Sequence, residues 1–299
     1  MKIGSTAARI SLITSDLEAL EILADAKIES VDFWLYLQSL SENSALMQAD
    51  WEQWVDTIKT KLDSLRLPAL QCHALFNIFI PDDFTYVPPQ EIIRRNFYAC
   101  KKLDCHKLVF PPLFLLQRVT DIRTHEKILQ YNLRWFRELI PLAEQLGVEI
   151  DIENGFDFAD FQQTGDMPFA FSTVEDVCWL VDQLNHPLVK VCFDTGHANI
   201  SGLDVPASIR QLGNRLSTLH LQDNFGKIGP IEPDVHLLPG HGAIDWSAVM
   251  EALRDIGFQG VLNMEPVDAL PQLPRELIVH HLACGAEFLR KMAQLHGLQ

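Results

Sequence analysis

Short apolar runs alternate with longer stretches of helical periodicity along the whole chain. Near its start, Ile13, Leu17, Leu20 and Ala24 step by four, three and four residues and so share one face of a helix. Ser15, with Glu18 three residues later, supplies the capping box that would start it. An apolar run at residues 28–37 follows, then a Trp-bearing helix over about 51–66 that ends before Pro68. The run 69–76 precedes a helix opened by Pro88 and Pro89. The run 107–110 is closed by Pro111-Pro112. The clearest helix carries Ile128, Trp135, Leu139, Leu142 and Leu146 on one face and stops at Gly147.

The second half repeats the scheme. Runs at 148–152, 188–193, 216–221 and 259–264 are separated by three predicted helices. The first is capped by Ser172 with Glu175, the second spans about 204–213, and the third begins at Trp246. A final helix carries Ile278, Leu282, Leu289 and Met292. Strands alternating with helices imply parallel βαβ units. With a first strand near residues 2–10 the runs number eight. Eight units in 299 residues match an α/β fold of the (β/α)8 barrel type, with residues 1–299 as a single domain. A doubly wound open sheet is the alternative, but no G-x-G-x-x-G follows an early strand. Residues 155–171 are long for a βα loop and form a candidate lid.

Composition narrows the class. Hydrophobic residues make up 47% of the chain and charged residues 21%, which excludes a disordered chain, a coiled coil and a collagen-like repeat. No uninterrupted apolar run reaches the roughly 18 residues of a membrane span. The N-terminal stretch lacks the apolar core of a signal peptide. A soluble, cytoplasmic protein with no membrane partner is therefore expected. Acidic side chains number 40 against 24 basic, a net charge of −16 that repels phosphate backbones, so no nucleic-acid partner is expected. The six cysteines form no C-x-x-C pair, and four lie in apolar segments, so they read as buried free thiols.

In a (β/α)8 barrel the active site gathers where strands end. The run 148–152 delivers Glu153-Asn154-Gly155, and the next delivers Asp194-Thr195-Gly196-His197. The third delivers His220-Leu221-Gln222-Asp223-Asn224, and the last delivers Glu265-Pro266. A lone acid at such a place is ordinarily a helix N-cap or a solvated loop residue, and a lone His a satisfied core residue. Four at matching positions on consecutive strands point instead to one shared site. Two Glu, one Asp and one His make an oxygen-rich donor set with one nitrogen. It suits one divalent ion, Mn²⁺ or Mg²⁺ foremost, with Co²⁺ or Zn²⁺ also accommodated.

With these residues in view, the chain resembles the xylose-isomerase-like barrels, a superfamily of sugar and sugar-phosphate isomerases and epimerases. The resemblance rests on E-N-G at 153–155, D-T-G-H at 194–197, H-L-Q-D-N at 220–224, D-V-H-L-L-P-G-H-G-A-I-D-W at 234–246 and G-V-L-N-M-E-P at 260–266. It is strong over 148–266 and vague over 1–140. It implies that Glu153, Asp194, His220 and Glu265 bind one metal ion. It further implies that His197 contacts substrate or supports a ligand from behind, and that His236 lies at the rim. The reaction it implies removes a C–H proton beside a carbonyl through a metal-stabilised enediolate. Glu153 and Glu265, from non-adjacent strands, would flank the substrate and exchange that proton as catalytic residues. The partner is then a small-molecule sugar or polyol; whether the chain forms a homo-oligomer stays open.

Other positions carry weaker signals. His73 ends a run where the superfamily often places a polar residue for substrate; the alternative is a His bonded beneath a loop. Asp234 and His236 either hold a further metal or order the loop before Pro239-Gly240. Lys227 is the one cation soon after His220, placed to meet a hydroxyl or phosphate or simply solvated. Family epimerases often carry an Arg in this loop, and Phe225-Gly226-Lys227 lacks it. Trp34, Trp51, Trp54, Phe79 and Phe114 read as core before they read as pocket walls. Rival functions are a metal-dependent dehydratase of a cyclic polyol or shikimate-type acid, an apurinic-site endonuclease, and a non-catalytic sugar binder. The endonuclease's three-metal site also uses a His after the fourth strand, where this chain has Phe110-Pro111-Pro112.

Overall fold

The computed structural model describes residues 1–76, 79–80, 84, 89–115, 121–157, 168–226, 234–266 and 272–298. Its strands are β1 (Ile3–Ser5), β2 (Ser30–Trp34), β3 (Ala69–His73), β4 (Phe79–Ile80), β5 (Lys107–Phe110), β6 (Phe114–Leu115), β7 (Glu149–Glu153), β8 (Val189–Asp194), β9 (Leu216–His220) and β10 (Leu262–Met264). Eight of them form one parallel sheet in the order β10-β1-β2-β3-β5-β7-β8-β9. Just past β9, Leu221 pairs with Met264: its N–H donates to Asn263 O at 2.8 Å and its carbonyl accepts from Glu265 N at 3.1 Å. That pairing joins the two ends of the sheet, and the eight strands make the (β/α)8 barrel expected of the pattern. The short pair β4 and β6 lies outside this sheet and was not foreseen.

Two predicted boundaries shift, each for a local reason. The first strand ends at Ser5 rather than near residue 10. Thr6 Oγ1 accepts from Ala8 N at 3.3 Å and Ser11 Oγ donates to Ala8 O at 2.8 Å, which turns the chain into a short helix, Ala8–Ser11. The helix Val174–Leu184 is capped one residue later than predicted. Thr173, not Ser172, accepts from Asp176 N, and the Asp176 carboxylate in turn accepts from Phe171 N at 3.0 Å. Elsewhere the local chemistry is as read. Ser15 accepts from Glu18 N, and the helix Ile122–Leu146 stops at Gly147 with φ +63°.

The apolar core lies between strands and helices. Phe33 meets Trp54, and Phe110 meets Phe97 and Trp135, all across the outer face of the sheet. Trp34 and Trp51 are buried. The barrel interior is polar instead. Asp32, Gln71, His73, Asp151, Glu153, Thr218, His220 and Asn263 are all buried and bonded to one another or to the backbone. The six cysteines are free thiols, four of them buried. Among the described residues no helix is long and apolar enough to cross a membrane. Most of the candidate lid, residues 158–167, lies outside the described residues, as does Lys227.

One buried carboxylate anchors the chain that follows β9. Asp223 accepts from Asn224 N at 2.9 Å, Gly240 N at 3.0 Å, Ile244 N at 3.2 Å and Trp246 Nε1 at 2.8 Å. Gly242 is required beside it, because a Cβ there would stand 2.3 Å from Asp223 Oδ1 and 2.4 Å from Asn224 O. The P-G-H-G-A-I-D-W motif is thus the wrapping of one aspartate. Replacing it strands four donors, three of them on the buried residues Asn224, Ile244 and Trp246. Asp223→Ala is expected to lower the unfolding free energy in urea by about 3 kcal/mol or more, and Asp223→Asn by less. A loss under about 1 kcal/mol for the alanine variant would show that the loop is held by something else.

Candidate metal centre

The four strand-end residues converge. One ligand atom from each of Glu153, Asp194, His220 and Glu265 lies within 4.8 Å of the other three. Glu153 ends β7, and one of its carboxylate oxygens bonds His220 Nδ1; the other is 3.5 Å from His73 Nε2. Asp194 ends β8 and caps the helix Thr195–Ile200, Oδ1 accepting from His197 N at 2.7 Å. The ordinary role of an acid at a strand end is therefore present here and occupies only half of the carboxylate. Asp194 Oδ2 is buried and has no hydrogen-bond partner. His220 ends β9, and Glu265 follows β10 with Oε2 3.6 Å from His220 Nδ1.

Asn154, inside the E-N-G motif, sets the spacing of the first two of these carboxylates. Its amide accepts from Asp194 N at 2.8 Å and donates to Asp194 O at 3.1 Å, clamping the end of β8 to that of β7. Gly196, inside D-T-G-H, leaves room for Gln222, whose side chain would be 2.1 Å from a Cβ at that position. Gln222 Nε2 then reaches Asp234 Oδ1 at 3.0 Å. Neither Asn154 nor Gln222 was singled out from the sequence, although both lie in the quoted motifs. Asp32 was missed altogether: it accepts from His220 Nε2 at 2.9 Å. The available signal was an acid flanked by Val31 and Phe33 within an apolar run.

The electrostatics follow from crowding. Burial by itself would raise Glu153, yet His220 and His73 beside it outweigh burial and hold its carboxyl well below the ordinary value. Burial would lower His220, but Cys192, Glu265, Glu153 and Asp32 around it lift its imidazole well above the ordinary value. Burial pushes Glu265 up to about 7, with Asp194 and Glu153 adding to the effect and His220 and His236 opposing it. Three carboxylates and one imidazole form a hard-to-borderline donor set, and a buried carboxylate oxygen facing no donor is costly. A divalent cation fits this set, and the unpartnered Asp194 Oδ2 is the feature it would answer.

The weaker candidates fall around the same mouth. His73 stacks parallel to His220 with ring centroids 5.4 Å apart, and its Nδ1 donates to Ala74 O at 2.9 Å. His197 Nδ1 donates to Asn154 O at 2.8 Å, so its Nε2 faces Asp234, 3.9 Å away. His236 has φ +40°, a strained conformation for a non-glycine residue. It donates to Glu265 O at 3.1 Å and to Asp234 Oδ2 at 3.1 Å. Against the effect of burial, the Asp234 bond raises His236 to about 10. Asp234, which burial alone would raise, is drawn down to about 2 chiefly by His236 and His197. His197, Asp234 and His236 form a second group of ligand atoms within 4.8 Å of one another. A third, Cys72, Cys100 and Cys105, is buried; there Cys100 and Cys105 donate to the Cys105 and Lys107 carbonyls. Those bonds suit protonated thiols packed in the core rather than metal-binding thiolates.

Comparison with known proteins agrees with this architecture. The chain is 32% identical over 174 residues to a D-psicose 3-epimerase of Enterocloster bolteae, covering 52% of this chain and 51% of that one. It is 27% identical over 168 residues to an inosose isomerase of Bacillus subtilis, covering 56% of each. The chain thus spans about half the length of the curated relatives it matches. Among solved structures, that of an IOLI protein with a bound zinc atom superposes with a TM-score of 0.71 at 20% identity, covering 99% of this chain and 98% of that one. The family model of the xylose isomerase-like TIM barrel matches residues 20–291. On that match, which spans nearly the whole chain, the protein belongs to the xylose isomerase-like TIM barrel family.

Proposed function

We propose that this protein is a divalent-metal-dependent isomerase or epimerase of a sugar or polyol. The observation that carries the reading is the convergence of Glu153, Asp194, His220 and Glu265 around an Asp194 oxygen that no protein group satisfies. Similarity to an epimerase and an inosose isomerase supports the reaction class, and the zinc atom bound in a structure of similar fold supports a metal. Glu153, Asp194, His220 and Glu265 would hold one ion, with Mn²⁺ or Mg²⁺ best suited to the donors. Such an ion, when bound, supplies Lewis-acid stabilisation of negative charge on the substrate oxygens.

Proton movement falls to the two glutamates. β7 and β10 are not neighbours in the barrel, so Glu153 and Glu265 approach the substrate from different sides. One takes the proton from the carbon beside the carbonyl and the other returns it, which inverts that carbon or shifts the carbonyl along the chain. His73 and His197 are assigned to substrate hydroxyls. His236, with both nitrogens engaged, orders the rim. A dehydratase of a cyclic polyol shares the same first proton transfer. It is distinguished by the ultraviolet absorbance of an enone product.

Purified protein is expected to hold about one divalent ion per chain by elemental analysis, and His220→Ala to lose it, because the remaining carboxylates leave an open coordination position. Unchanged metal content after substitution of these ligands would refute the centre.

Turnover in D₂O is expected to place deuterium on the carbon beside the carbonyl. Glu153→Gln and Glu265→Gln should each lower kcat by at least about 10²–10⁴-fold, with losses far from additive because one intermediate needs both groups. Product free of solvent deuterium, together with two active Gln variants, would leave the glutamates as ligands only.

The second group of His197, Asp234 and His236 is the observation that favours a phosphodiester-cleaving alternative. The net charge of −16 opposes it. At about 0.15 M salt no measurable binding to an abasic duplex is expected, and tight, salt-sensitive binding would reverse the order of the two readings.

A further inference from the structure

We infer that Asp32 is a positioning residue that fixes which nitrogen of His220 faces the metal centre; this rests on the proposed metal-dependent function. Asp32 lies in β2 where the pairing with β3 shifts register, between Val31 and Asp32. Such irregularities re-aim a side chain. It is 1% exposed and sits on the far side of His220 from Glu153 and Glu265. All of its hydrogen bonding falls on one oxygen. Oδ2 accepts from His220 Nε2 at 2.9 Å, Gln71 Nε2 at 2.9 Å and Asn263 Nδ2 at 3.3 Å, groups drawn from β9, β3 and β10. Oδ1 is buried and accepts from nothing. Here Gln71 and Asn263 hold the oxygen that faces His220.

The consequence is a choice of tautomer. Asp32 Oδ2 already accepts from Gln71 and Asn263, so it meets His220 as an acceptor too, and the nitrogen facing it carries the hydrogen. Nδ1, which bonds Glu153 in this structure, is then the atom left to give its lone pair to an ion held among Glu153, Asp194 and Glu265. Without Asp32, the bond between Nδ1 and Glu153 would draw the hydrogen to Nδ1 and turn the lone pair away from the centre. A carboxylate behind a metal-binding histidine is a general device for fixing ring orientation and raising ligand basicity, and losing it typically costs about 10–100-fold in metal affinity.

The test compares wild type, Asp32→Asn and Asp32→Ala. Asp32→Asn keeps shape and an accepting oxygen for Gln71 and Asn263 but removes the charge. Mn²⁺ affinity, read from the free-ion electron paramagnetic resonance signal, is expected to fall about 10–100-fold in Asp32→Asn, with circular dichroism unchanged, and further in Asp32→Ala. In the Zn²⁺-loaded wild type, heteronuclear NMR is expected to show His220 protonated at Nε2, with that proton displaced downfield by Asp32 and shifted back in Asp32→Asn. A merely structural residue would not move this resonance. Wild-type affinity in Asp32→Asn overturns the inference and leaves the proposed function standing. So does a zinc-loaded wild type with the hydrogen on Nδ1, whether or not either variant folds. A wild type that binds no divalent ion at these four ligands overturns both.

Discussion

Burying three carboxylates within a few ångströms of one another is the constraint on which this molecule turns. Glu153, Asp194 and Glu265 bring ligand atoms within 4.8 Å of one another and of His220. In a low-dielectric interior like charges cannot all persist without opposite charge or bound protons. The protein alone answers in part. His220 is lifted to favour its charged form, Glu153 is held ionised beside it, and Glu265 is pushed up to about 7. Asp194 Oδ2 remains without a partner even so. A barrel whose interior were filled with branched aliphatic residues could not tolerate such a cluster. This one replaces them with polar residues: Asp32, Gln71 and Asn263 carry hydrogen bonds down from His220, and Thr218 donates to Asp151.

The surrounding loops serve the same constraint. Asn154 ties the end of β8 to that of β7 through its side-chain amide, and the Leu221–Met264 pairing ties β9 to β10, so the four strand ends that carry Glu153, Asp194, His220 and Glu265 are joined in pairs. Asp223 gathers the loop that follows β9 and positions the stretch carrying Asp234 and His236. Sites built on strand ends and braced in this way hold their geometry more tightly than sites on free loops.

How much of this was legible in the sequence depends on range. Local rules found the helix starts at Ser15, the stop at Gly147 and the strand-end residues Glu153, Asp194, His220 and Glu265. Each of these is marked by its own neighbours in the chain. The cap at Thr173 was misplaced by one residue because Ser172 and Thr173 offer equivalent hydroxyls. The folded chain distinguishes them: Ser172 Oγ donates to Phe169 O, which leaves Thr173 to accept from Asp176 N. The pair β4 and β6 was missed because two-residue strands have no periodicity to detect. His73 was ambiguous from its position alone, and its stacking on His220 places it at the site.

The sequence by itself determined the alternation of strands and helices, the barrel that follows from it, and the four residues delivered to one end, because each depends on periodicity and on the direction in which a strand emerges. Only the tertiary structure decided the rest. It set Asp32 behind His220, 188 positions away in the chain, through a register shift that no local pattern announces. It also left one oxygen of Asp194 capping a helix and the other facing the centre. Hydrogen-bond partners across a closed barrel are fixed by strand order and register, and these emerge only when all eight strands have met.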